Sequence, residues 1–246
     1  MASRAEGRTG DNAASVPAAR TRLGGAIRAS FTDYYFNSMR LVPANVVWGA
    51  GLVGIVLVAL VWPLGGLLLL PVLALPTAGI FRLAARIVRV APDPGMRDVL
   101  WPYRHAAGST VALGAALVGA TVVLGTNLVT GITGQGELVG WALATLAAWG
   151  LVAVWAGAFV AWPLVVDPAR DGQPLRAKLR VAAGVFLLHP TRIGALAVFV
   201  ALATVLSTIL TAALLTVSVA FIALLACRVV YPSADRLDLA MAGERP

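Results

Sequence analysis

Residues 31–48 read FTDYYFNSMRLVPANVVW. The first half of this segment is aromatic and polar, and an uncharged apolar run begins at Pro43. Tyrosine favours the headgroup level of a membrane, because its ring is apolar and its hydroxyl needs a polar partner. Proline suits the first turn of a helix, because the N–H that it lacks would have no partner there. The segment therefore predicts an interfacial helix followed by a membrane helix that begins near Pro43.

The composition of the whole chain favours the same class. The chain is 59% hydrophobic and only 12% charged, with a mean hydropathy of +0.86. Soluble domains are about one quarter charged, and a surface made from this composition would expose large apolar patches. The formal net charge of +8 is divided among short segments, whereas nucleic-acid-binding domains collect their charge on one face. The composition predicts an integral membrane protein and no nucleic-acid partner.

The order of apolar runs predicts an all-α polytopic membrane protein. A bilayer core of about 30 Å needs about 20 helical residues per crossing. Residues 1–21 lack apolar periodicity and are expected to form a disordered tail, and residues 22–246 are expected to form one membrane domain. Residues 193–231 are too long for a single crossing, which places a turn at Ser207 and Thr208. The result is six crossings in three hairpins, with cytosolic amphipathic segments, at about 43–62, 67–89, 105–128, 139–165, 193–207 and 209–230.

The distribution of lysine and arginine orients these crossings. Six precede the first helix, five lie between the second and third, five lie between the fourth and fifth, and three follow the sixth, which accounts for all 19. The loops on the opposite side carry only Glu137. Because lysine and arginine concentrate on the cytosolic side, we expect a multi-pass protein of the bacterial inner membrane with both termini in the cytosol.

Three short segments at the membrane entries resemble one another. They are 37–40 (NSMR), 101–104 (WPYR) and 189–192 (HPTR), and each precedes a predicted hairpin. The hypothesis is a quasi-repeat in which a basic amphipathic segment leads into each hairpin. Within the third helix, small residues recur every fourth position and predict a face for close helix packing: Gly108, Ala112, Ala116 and Ala120.

Residues that could carry chemistry are few. No carboxylate lies inside a predicted crossing, and there is no phosphate-binding loop, nucleophile elbow or metal-ligand cluster. His105 and His189 lie at predicted helix ends without a partner carboxylate or cysteine, and Cys227 lies inside an apolar run. We therefore expect no enzyme activity, no catalytic residue, no cofactor and no metal.

Two groups of residues are candidates for binding. The first group is basic and is expected to contact anionic lipid headgroups or a protein partner at the cytosolic face: Arg40, Arg82, Arg86, Arg89, Arg104, Arg176, Lys178, Arg180 and Arg192. The second group is polar and lies within or near the membrane: Asn45, Asn127, Thr145 and Thr204. If the second group converged on a cavity, it would favour transport.

Several of these motifs together resemble a family. Asn45-x-x-Trp48 begins the first helix, residues 76–86 (PTAGIFRLAAR) end the second, and Asp98 with Trp101 leads a basic stretch into the third. The chain resembles the YesL-like family of small bacterial membrane proteins. That resemblance implies a multi-helix inner-membrane protein, encoded in many genomes near carbohydrate-uptake systems, and of no established activity.

Two functions from different classes follow as expectations. The first is a non-enzymatic membrane protein that assists or regulates carbohydrate uptake by contacting the permease subunits of a transporter. The second is a small permease, or a substrate-binding membrane subunit of a transporter. An intramembrane enzyme is the weakest reading, because the chain lacks acid–base or nucleophile pairs.

Overall fold

The computed structural model describes residues 23–91, 94–134, 138–209 and 217–243, and no strand occurs within these ranges. The all-α prediction is confirmed for them, whereas the predicted tail at 1–21 and Glu137 lie outside the described residues. Short 3-10 turns occupy Leu70–Leu73 and Pro168–Arg170. The α-helices are α1 (Leu23–Phe36), α2 (Ser38–Val61), α3 (Pro63–Leu69), α4 (Ala74–Val88), α5 (Met96–His105), α6 (Ala107–Thr133), α7 (Leu138–Val165), α8 (Leu175–Leu188), α9 (Pro190–Ile209) and α10 (Val219–Met241).

Four helices are long and apolar enough to cross a membrane, which indicates a membrane protein. They are α2, α6, α7 and the combined stretch Pro63–Val88, which contains α3 and α4. A fifth results if α8 and the adjoining part of α9, which meet at an angle of 97°, count as one bent span. Helix α10 is outside this set, and it carries four charged residues from its tenth position onward: Arg228, Asp235, Arg236 and Asp238. A count of six is therefore not reached among the described residues.

A short helix is followed by a longer one three times along the chain, each time after a single non-helical residue. The pairs are α1 with α2, α5 with α6, and α8 with α9, and the intervening residues are Asn37, Ala106 and His189. Their φ angles are −110°, −141° and −130°, so none of the three continues the α-helical backbone. Asn37 and His189 lie within the segments 37–40 and 189–192, and Ala106 lies two residues after the segment 101–104.

Some helix boundaries differ from the sequence-based expectation. Helix α2 begins at Ser38 and not at Pro43, so the proline lies in its second turn. The predicted turn after Trp62 is instead the first turn of α3, which Pro63 starts. The 3-10 turn between α3 and α4 contains Pro71 and interrupts the crossing that was expected over 67–89.

The last predicted hairpin needs a larger correction. The prediction of a turn at Ser207 and Thr208 is wrong, because α9 stays helical through both residues to Ile209. Helix α10 then continues to Met241, eleven residues beyond the predicted end at 230. Neither correction was visible in hydropathy, because serine and threonine are tolerated in apolar helices and α10 changes from apolar to charged without a break.

The core of the protein lies around α10. Every residue of α10 from Ala220 to Cys227 is buried, and the helix contacts α1, α2, α4, α7 and α8. Polar side chains fix its neighbours: the Asn45 Oδ1 accepts a hydrogen bond from the Ala220 N–H at 2.9 Å, and the Trp48 indole N–H donates to the Thr77 hydroxyl at 2.9 Å. These bonds join α2 to α10 and to α4.

Candidate functional site at the charged helix ends

Seven charged side chains meet where α4, α7 and α10 come together. Three are arginines and four are aspartates, and together they form what we call the arginine–aspartate network: Arg82, Arg89, Arg170, Asp167, Asp171, Asp235 and Asp238. The arginines come from α4 and from the 3-10 turn after α7, and the aspartates come from the segment after α7 and from α10. The network therefore connects the ends of three helices that are distant in sequence.

Asp167 is the centre of this network. Its side chain is fully buried and accepts from Arg89 at 2.7 Å, from Arg170, and from the Ala169 backbone N–H at 3.1 Å. Arg170, whose side chain is 2% exposed, also reaches Asp235 at 3.0 Å and Asp238 at 2.5 Å. Because both ions and most of their hydrogen-bonding positions are satisfied, the buried charges are compensated.

Arg82 is buried against the segment that follows α7. It forms a bidentate pair with Asp171 at 2.5 and 2.6 Å and donates to the Val166 carbonyl at 2.9 Å. Its guanidinium also lies 4.1 Å from the centre of the Trp101 ring, a cation–π distance. The expectation that Arg82 contacts lipid headgroups does not fit this burial, because both terminal nitrogens of its guanidinium are engaged inside the protein.

Arg89 lies just beyond the end of α4. Burial by itself lowers its pKa, but the hydrogen bonds with Asp235 and Asp167 outweigh this effect and raise the pKa. The pKa of Arg170 is likewise raised, because its aspartate partners outweigh the effect of burial. A raised arginine pKa adds stability that is lost only when the pH rises through the folded-state value. Both arginines therefore stay charged at every biological pH.

The other basic candidates have varied environments. Arg86 lies 3.5 Å from Asp98 and is partly exposed, and Arg40 and Arg192 are also half-buried. Arg104, Arg176 and Arg180 are exposed. Lys178 was expected to face phosphates on the helix surface, but it is only 6% exposed and donates to the Val165 carbonyl at 2.9 Å. Lys178 is therefore not on the exposed face of α8, whereas Arg176 and Arg180 are.

A cavity of about 400 Å³ adjoins the network, and we call it the Lys178 cavity. It lies between the junction of α5 with α6, the end of α7 and the start of α8. Its polar wall includes Lys178, Asp171 and Gln173, and its apolar wall includes Val165 and Leu175. Trp101 and His105, whose rings stack at 5.6 Å between centroids, line the side formed by α5.

The four intramembrane polar candidates do not come together. Asn45 is fully buried and caps the backbone of α10, as described above. Asn127, Thr145 and Thr204 are exposed on α6, α7 and α9, and the Thr145 hydroxyl donates to the Trp141 carbonyl of its own helix at 2.9 Å. The described residues therefore place no shared cavity around these four side chains.

Sequence reasoning missed the aspartates of the network. Lysine and arginine were counted to orient the helices, and the acidic residues in the same segments were left out of that count. All six carboxylates among the described residues are paired with arginine: Asp33, Asp98, Asp167, Asp171, Asp235 and Asp238. Their positions in the same segments as the counted arginines indicate that ion pairs can form there, but not which residues pair.

Comparisons with known proteins add no relative. No family model matches the chain, and neither a curated protein nor a solved structure matches it. Within the described ranges, no group of three or more histidine, cysteine, aspartate or glutamate side chains is placed to hold a metal ion. The site is therefore interpreted from its own geometry.

Proposed function

We propose that this protein is a non-enzymatic, multi-pass protein of the bacterial cell membrane that assists or regulates a carbohydrate transporter by contacting its permease subunits. The carbohydrate part of the proposal comes from the resemblance to the YesL-like family. The contact part is supported by one observation. Arg104 on α5 and Arg176 on α8 are exposed and are next in sequence to residues that line the Lys178 cavity, which Asp171 of the arginine–aspartate network also lines.

The proposed topology has six crossings with both termini in the cytosol. Support comes from the four long apolar helices, from the bent pair α8 and α9, and from the apolar first half of α10. The charged ends of α4, α7 and α10 meet in the network, as they should if they lie on one side of the membrane. The three pairs of a short and a longer helix support the proposal of three hairpins, each led by a short helix.

Reporter fusions test the topology. Alkaline phosphatase, which is active only outside the cytosol, is fused after Gly134 or after Gln173 in the full-length reading frame. We expect activity from the first fusion and none from the second, because these positions end successive crossings. Activity from both fusions, or the reverse pattern, would reject the proposed orientation.

Co-purification tests the partner contact. Membranes of sugar-grown cells are solubilised, and the permease subunits that accompany the tagged protein are quantified. The variant Arg104→Glu/Arg176→Glu should lose most of this association, because both arginines are exposed beside the Lys178 cavity. The matched control Arg28→Glu/Arg236→Glu changes the same charge at exposed positions on α1 and α10. Failure of the unmodified protein to retain any permease subunit would reject the accessory role.

A further inference from the structure

The Lys178 cavity holds a buried cation beside an open space. Lys178 is 6% exposed, and its ammonium group uses one hydrogen for the Val165 carbonyl. An ammonium group has three donors, and no carboxylate among the described residues lies within ion-pair distance of it. The Asp171 carboxylate in the same wall is already engaged by both terminal nitrogens of Arg82. The cavity therefore presents a positive donor to whatever enters it.

Other donors and acceptors are arranged around the same space. The His105 Nδ1 lies 3.3 Å from the Trp101 carbonyl, which leaves the Nε2 for a ligand. The Ser109 hydroxyl donates to the Ala106 carbonyl at 3.0 Å and keeps its acceptor positions. Gln173 is exposed at the rim, and Arg104 and Arg176 are the exposed neighbours of lining residues. An anion with additional hydroxyl groups matches this set.

The position of the cavity indicates which kind of anion can reach it. Ala106 and Val165 line it, and they lie where α6 begins and α7 ends. In a membrane, the ends of two apolar spans lie at headgroup depth. Val165, Leu175 and Trp101 add an apolar wall next to the polar one. A volume of about 400 Å³ is in the range of small-molecule sites.

We infer that the Lys178 cavity binds the phosphate of an anionic glycerophospholipid, with the Lys178 ammonium as the charged donor and with Ser109, Gln173 and the rim arginines around the headgroup. The glycerol and the first acyl carbons then lie against Val165 and Leu175. The inference deepens the proposed function and rests on its membrane-spanning arrangement. A bound lipid would join α5, α6 and α8 at the surface that is proposed to contact the transporter.

Native mass spectrometry of the delipidated full chain in detergent tests this site. Phosphatidylglycerol and phosphatidylcholine are titrated in parallel, and glycerol 3-phosphate is used as the soluble phosphate ester. We expect preferential binding of phosphatidylglycerol and a loss of about tenfold in its affinity for Lys178→Gln, because a charge-assisted hydrogen bond is removed. The control Arg28→Gln removes an exposed charge from α1, which does not line the cavity, and should leave the affinity unchanged.

A second variant keeps the test decisive if Lys178→Gln does not fold. Leu175→Trp narrows the cavity and keeps every charge. It should weaken the binding of phosphatidylglycerol to a similar extent. Equal affinity for the two lipids, or unchanged binding in a folded variant of either kind, would overturn the inference. Tight binding of glycerol 3-phosphate that lipid does not displace would also overturn it, since the anion would then be a soluble ester. These results are independent of the co-purification, so the two proposals can fail separately.

Discussion

The two ends of the helix bundle differ in how they are held together. At the charged end, α4, α7, α8 and α10 bury side chains against one another, and the ends of α4, α7 and α10 share the arginine–aspartate network. Along the apolar helices, only 17% of the most apolar window of α2 and 11% of that of α6 are buried inside the protein. The apolar helices therefore depend on lipid for most of their contacts, whereas the charged end supplies the protein's own cohesion. Three experiments test this difference.

The largest effect is expected at the centre of the network. Asp167→Asn removes the fully buried carboxylate that Arg89 and Arg170 share. The two guanidinium groups keep only the more exposed partners, Asp235 for both and Asp238 for Arg170. Breaking a buried ion pair from one side costs about 3–5 kcal/mol. We expect a large fall in the thermal unfolding temperature in detergent, measured by circular dichroism or by the loss of a monodisperse peak.

The matched control for this variant is Asp238→Asn. Asp238 also pairs with Arg170, but its side chain is 35% exposed, so water can replace part of the lost interaction. The fall in unfolding temperature should be clearly smaller than for Asp167→Asn. Equal and small effects for the two variants would mean that the network does not hold the charged end together.

The second experiment compares a glycine in the closely packed charged end with a glycine on the loosely packed helix α6. In the charged end, a Cβ at Gly79 would overlap the Val99 carbonyl oxygen, because α4 and α5 approach closely there. On α6, a Cβ at Gly125 would meet nothing within 4 Å. Gly79→Ala should cost about 1–3 kcal/mol through overpacking, whereas Gly125→Ala should be neutral or stabilise the helix by up to about 1 kcal/mol.

Unfolding temperatures of the two glycine variants, measured side by side in the same detergent, decide this comparison. If Gly79→Ala were as stable as the unmodified protein, the close packing of α4 on α5 would not be required for stability. If both variants were destabilised alike, the described difference between the two ends would be absent in solution.

The sequence predicted the class of the fold because hydropathy and helical length are local properties. The apolar runs around α2, α6 and α7 were recognised, and the entry segments at 37–40, 101–104 and 189–192 coincide with or adjoin the three helix bends. The small-residue face was misplaced: Gly108, Ala112 and Ala116 are exposed, whereas Gly114 and Gly131 make the close approaches. Spacing alone gives a face of a helix but not which neighbour covers it.

The candidate site was harder to predict, for a physical reason. Arg82 and Lys178 carry charged side chains, and such side chains are usually exposed. Their burial depends on Asp171 and on the Val165 carbonyl, which belong to another part of the chain. A pairing over such a distance leaves no periodic trace in a single sequence. Arg104, Arg176 and Arg180 are exposed, and their contact with lipid headgroups or a partner stays a prediction.

The smallest effect is expected where α1 joins the charged end. Asp33 pairs with Arg228 of α10, and the Phe31 ring lies 4.5 Å from that of Phe221. Both charged side chains are partly exposed, at 22% and 29%, so Asp33→Asn should cost only about 0.2–1 kcal/mol. The unfolding temperature should hardly change, but trypsin should cleave after Arg28 more rapidly, because α1 separates from α10 more often.

The control Thr32→Val, which removes only a hydroxyl bonded to the Arg28 carbonyl within α1, should leave the cleavage rate near that of the unmodified protein. Unchanged cleavage in Asp33→Asn would show that aromatic packing alone holds α1, and would limit the role of ion pairs to the network itself.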